Sequence, residues 1–169
     1  RARSPTLVAA AQETAPMAPL VVFIDEPGLT AAMHKDFPLE PNRTIDLVSS
    51  ALATVEPHAM TGLHCCGLAD WPVVLQAGAQ ILSLPLDCGA VELAGALGAF
   101  LDGGGHIAWG AVPTTGPLGS TPERLWEHLN AEWCALVQGG CDPVLLREQA
   151  MITPACGLAL HGEAQADLV

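Results

Sequence analysis

A histidine and two adjacent cysteines, His64-Cys65-Cys66, close the short apolar run Thr61-Gly62-Leu63. Imidazole and thiolate are the ligands that zinc favours. In an extended strand the side chains alternate between faces, so His64 and Cys66 point one way and Cys65 the other. Residues i and i+2 lie about 6.6 Å apart along a strand, and bonds of ~2.1 Å to nitrogen and ~2.3 Å to sulfur let both converge on one ion. Core packing of two buried thiols is the competing reading, and a third ligand decides between them.

The elements that must position these groups alternate along the chain. Residues 4–15 carry a modest helical pattern that Pro16 and Pro19 break. Leu20-Val21-Val22-Phe23-Ile24-Asp25 is a continuous apolar run that suits a strand buried on both faces, and it closes on the acidic pair Asp25-Glu26. A helix over 43–55 leads to the strand of the opening motif, 59–66, and a short helix over 70–78 follows. Ile81 to Asp87 reads as the third strand, with Pro85 marking where pairing stops because it has no backbone donor. A helix over 91–101 ends at Gly103-Gly104-Gly105, which is a turn without the spacing of a phosphate loop. His106–Val112 is the fourth strand, a long helix capped by Ser120 or Thr121 runs to Val137, and Met151–Cys156 is the fifth strand before a helix-like tail.

Strands alternating with helices imply an α/β fold with right-handed βα units and a parallel sheet. Ligands of such sheets gather at the C-terminal ends of the strands. Asp25, His64, Cys66, Asp87 and Cys156 all fall at that end, and Cys156 supplies a second thiolate from a distant part of the chain.

Composition narrows the function classes. The 169 residues are half hydrophobic, enough for one sizeable core, and the formal charge is −12 with only six Lys plus Arg. Nucleic acid and anionic membrane are poor partners for that surface. No apolar run reaches the roughly 18 to 20 residues of a membrane helix, and no signal peptide is evident. The six cysteines lie in apolar segments and not in a loop-rich scaffold, so they read as reduced thiols and the location as cytoplasmic.

Four stretches carry a family resemblance: Val22-Phe23-Ile24-Asp25-Glu26-Pro27, Gly62-Leu63-His64-Cys65-Cys66, Ile107-Ala108-Trp109-Gly110 and Ile152-Thr153-Pro154-Ala155-Cys156-Gly157. Their order and spacing over most of residues 20–160 resemble the catalytic barrel of cobalamin-independent methionine synthase, in the superfamily that includes uroporphyrinogen decarboxylase. The resemblance implies a (β/α)8 TIM barrel, of which residues 1–169 form a single domain carrying the C-terminal five strands. It implies a Zn2+ held by His, two Cys and Glu, and methyl transfer from a folate to a small thiol such as homocysteine. Carried over, His64, Cys66 and Cys156 are metal ligands. Asp25, with Glu26 beside it, holds the substrate's amino group. Trp109 is either core or a platform for substrate.

Three departures qualify what is carried over. The expected glutamate ligand falls at Pro85, leaving Asp87, about 6.6 Å farther along the strand, or Cys88 as a substitute, or three protein ligands and an open position. The family's catalytic histidine falls on Ala111. A whole barrel takes eight strands and about 250 residues, so a preceding half-barrel, or a second subunit, is expected to close the sheet. A non-catalytic relative with a structural thiol site, and a decarboxylase-like enzyme, are the competing functions. His34, His58, His106, His128 and His161 have no evident partners, although His34 follows the Asp-Glu-Pro turn and could reach the pocket mouth.

Overall fold

The computed structural model describes residues 4–32, 34, 36–114, 121–158 and 162–167; Ser120 and His161 lie outside them. In chain order the elements are α1 (Ser4–Thr14), β1 (Val21–Asp25), α2 (Gly28–Ala31), α3 (Pro41–Ala53), β2 (Met60–His64), α4 (Trp71–Val74), β3 (Ile81–Pro85), α5 (Ala94–Asp102), β4 (His106–Val112), α6 (Pro122–Gln138), α7 (Pro143–Glu148), β5 (Ala150–Pro154) and α8 (Glu163–Ala166). Proline at the first helical position opens α3, α6 and α7, where its fixed φ fits and no donor is lost. Asp70 caps α4 through the Val73 N–H, and Asp142 caps α7 through the N–H groups of Val144 and Leu145. No helix among the described residues is long and apolar enough to cross a membrane.

The five strands form one parallel sheet in the order β1-β2-β3-β4-β5, each beside its successor. The register lines up two kinds of row. Ile24, Leu63, Leu82, Ile107 and Ala150 are cross-strand partners, and all belong to or pack against the hydrophobic core. Leu84 and Trp109 form the next row on that face, against which α6 lays Leu129, Trp133 and Leu136. The intervening row, Asp25, His64, Ser83, Ala108 and Met151, has the opposite parity and faces away from this core. The apolar row thus anchors the sheet while the alternate row is released for chemistry.

Two expectations about the strands are corrected. β1 is not buried on both faces: Val21 is 41% and Phe23 39% exposed. Val21, Phe23 and Asp25 share the face turned away from the helix-covered core, and among the described residues β1 stands at the edge of the sheet, beside β2. β2 and β5 also stop early, at His64 and Pro154, so Cys66 and Cys156 lie in the bends that follow the strands.

Candidate metal centre

His64 is the last residue of β2, flanked in register by Asp25 of β1 and Ser83 of β3. Its Nδ1 is 2.9 Å from the Ser83 hydroxyl, and its Nε2 is 3.1 Å from Cys66 Sγ. Ser83 therefore holds the ring so that Nε2 faces the thiol. Because the chain bends after His64, Cys66 meets the imidazole directly without relying on strand alternation. Cys65 turns to the other side, where it is buried and its thiol contacts the Thr30 hydroxyl at 3.3 Å.

Cys156 arrives from β5. The Ala155 N–H bonds to the Val112 carbonyl at 2.8 Å, and the Thr153 hydroxyl bonds to the Trp109 carbonyl, fixing the strand end against β4 across an irregular register at Gly110–Val112. Gly110 makes this approach possible: a Cβ there would lie 2.8 Å from Ala155 Cα and 3.2 Å from the Leu84 carbonyl oxygen. Gly110→Ala is expected to push the Ala155-Cys156 bend away, lowering metal affinity at least tenfold and costing about 1–3 kcal/mol of stability. Chelator competition and urea unfolding on the same protein check both numbers.

The result is a cluster in which one donor atom each of His64, Cys66 and Cys156 lies within 4.8 Å of the others. Donors of a tetrahedral zinc stand about 3.4–3.8 Å apart, so the three fit one ion with little movement, and the soft two-thiol, one-imidazole set suits zinc. The Cys66 thiol is pushed up to about 12, first by desolvation, then by the hydrogen bond and charge of Cys156 and the charges of Cys65 and Asp25. An ion entering the cluster must displace that proton at neutral pH, and its positive charge reverses the repulsion. Ser83→Ala frees the imidazole to rotate and is expected to weaken zinc binding 10- to 100-fold. Titration against a chelating indicator measures it.

The other candidates are placed differently. Asp25 shares the His64 row, and its charge acts on Cys66, but its carboxylate is outside the cluster. The Glu26 carboxylate accepts the Gly28 N–H at 2.9 Å, a contact within its own turn. Asp87 is not a member of the cluster: its carboxylate is 83% exposed and lies 3.1 Å from His128 Nε2. Cys88 is buried in the hydrophobic core, its thiol raised to about 12 by burial and then by Glu132. Trp109 is fully buried on the helix-covered face, edge-on to Trp133 at 6.4 Å, so it packs the core and offers no platform to substrate.

Beside the cluster is a cavity of ≈ 210 Å³ whose walls include Cys66, Cys156, Pro85, Gly110, Asp87 and His128. Ser83 and His128 were not anticipated from the sequence. Ser83 left a signal, being the one hydroxyl in an apolar strand and at the parity of Pro85. His128 left none, because it reaches the cavity from α6. No protein-family model matches the chain, and no curated protein is significantly similar to it in sequence.

Proposed function

We propose that this chain is the metal-bearing part of a methionine-synthase-like (β/α)8 barrel and transfers a methyl group to a small thiol. The observation that carries the reading is the convergence of His64, Cys66 and Cys156 at the C-terminal ends of β2 and β5. The sequential strand order supports a barrel, since right-handed crossovers between successive neighbours keep the connecting helices on one face. The free edges of β1 and β5 are where a preceding half-barrel or a second subunit completes the sheet.

Zinc held by this cluster would favour the thiolate, the nucleophilic form of a thiol, at neutral pH. The chain's own residues do the rest. His64, Cys66 and Cys156 would hold the ion, and Pro85, at the position of the family's glutamate, lines the cavity beside them and offers no ligand. Ser83 fixes the His64 ring. Asp25, one strand away in the same row, is the counter-charge for the ammonium group of an amino-acid thiol. We place this reduced-thiol chemistry in the cytoplasm.

The test is metal analysis followed by methyl transfer to homocysteine and to simpler thiols, with methylfolate as donor. The proposal expects about one zinc per chain and turnover that His64→Ala abolishes. A metal-loaded protein inert with every donor and acceptor supports the second reading, a structural zinc site in a non-catalytic relative, which Pro85 and Ala111 at the family's glutamate and histidine positions favour.

A further inference from the structure

A second cavity opens where α2, α3 and α4 meet, and none of its lining residues belongs to the metal cluster. Its volume is ≈ 210 Å³, room for about seven waters at roughly 30 Å³ each. The wall is apolar, with Leu29 from α2, Pro41 and Ile45 from α3, and Val73 and Val74 from α4. Two polar side chains interrupt it, the buried Thr44 and the exposed Asp70. The N–H groups of Leu29, Ala32, Thr44, Val73 and Val74 are bonded to the carbonyls of Glu26, Gly28, Glu40 and Asp70, and the Thr44 hydroxyl donates to the Glu40 carbonyl at 3.3 Å. Asp70 uses one carboxylate oxygen to cap α4 through the Val73 N–H at 3.3 Å; among the described residues its other oxygen has no partner and the side chain has no ion pair. The side chains of this lining thus have acceptors to offer and no donor.

We propose that this cavity is a binding site for a small apolar primary amine in its ammonium form. Asp70 takes the ammonium group as counter-charge and hydrogen-bond acceptor, and the alkyl body displaces water from the apolar wall. Because Asp70 is exposed, the two charges meet while still partly hydrated, which keeps the desolvation cost below that of a buried pair. The carboxylate excludes an anion of the same shape, and a neutral alcohol makes the hydrogen bond without the charge. A free amino acid is disfavoured too, since its own carboxylate would enter beside Asp70. The ligand class is therefore that of decarboxylated apolar amino acids. The net charge of −12 raises the local concentration of any such cation.

The probes are isopentylamine, isopentanol and isovalerate, which share one skeleton and differ in charge, titrated at neutral pH into the full chain with and without zinc. Calorimetry is expected to show one saturable site for isopentylamine, at least tenfold tighter than for isopentanol, and no binding of isovalerate. The amine affinity stays within about twofold when zinc is loaded, because the two sites share no residue. In the same titration the methyl NMR signals of Leu29, Val73 and Val74 shift. Asp70→Asn keeps an oxygen to cap α4 and removes the charge, so it weakens the amine at least tenfold and leaves the alcohol within about threefold. Ala32→Leu fills the cavity from another wall and abolishes binding of both. The assignment is overturned by an absence of saturable amine binding, by equal affinity for the three probes, by binding that appears only with zinc, or by unmoved methyl signals. It is equally overturned if either variant binds the amine as the unsubstituted protein does. None of these results bears on the methyl-transfer reading, which rests on the other cavity.

Discussion

Cys156→Ser is expected to lower zinc affinity by two orders of magnitude or more. Structural zinc sites are worth about 10–16 kcal/mol over four ligands, or about 3 kcal/mol for each, and every 1.4 kcal/mol is about tenfold in an equilibrium constant. Serine keeps the size of the side chain but gives no thiolate at neutral pH, so the loss is of ligation and not of packing. Cys156 is only partly buried and lies in a bend, which keeps the cost to folding small. Equilibrium dialysis of zinc against the variant measures the drop. Cys65→Ser serves as the control: its thiol faces Thr30 and should leave zinc affinity within about twofold, although burying a hydroxyl there costs stability of about 1–3 kcal/mol.

The largest loss of stability is expected at Trp109. Its ring is fully buried between the sheet and α6 and meets Trp133 at an interplanar angle of 60°. Truncation to alanine removes a large apolar surface and leaves a cavity, at about 3–5 kcal/mol. Set against total stabilities of about 5–15 kcal/mol, that is enough to leave the protein marginal. Urea unfolding of the zinc-free forms should show the unfolding free energy fall by this amount and the midpoint fall with it, with zinc affinity of the folded fraction kept near its original value. An unchanged midpoint with impaired substrate binding would return Trp109 to the role of a substrate platform.

The strands were legible as short, mainly apolar runs separated by helical patterns and by turns rich in glycine and proline. The fourth strand has the very bounds that pattern predicts. The position of a strand within the sheet is not written in such a run: Val21–Asp25 reads as a core strand and stands at the edge. His64, Cys66 and Cys156 were readable because strand ends collect ligands in parallel sheets, although strand parity was the wrong reason for Cys66, which meets His64 through a bend. Asp87 was misjudged because parity along β3 says nothing of what α6 offers once the chain has folded over it. That helix brings His128, and the carboxylate is engaged there. Long-range pairs of this kind depend on how helices seat on the sheet, which no local spacing encodes.

The most direct test of the metal centre is X-ray absorption at the zinc edge on the zinc-loaded protein. The geometry predicts a shell of two sulfurs at ~2.3 Å and one imidazole nitrogen at ~2.1 Å, with one lighter ligand or an added substrate thiol in the remaining place. A third sulfur should enter the shell when homocysteine is added. A shell of nitrogen and oxygen alone, or one in which the sulfur count is the same in the Cys156→Ser variant, would contradict the assignment of His64, Cys66 and Cys156.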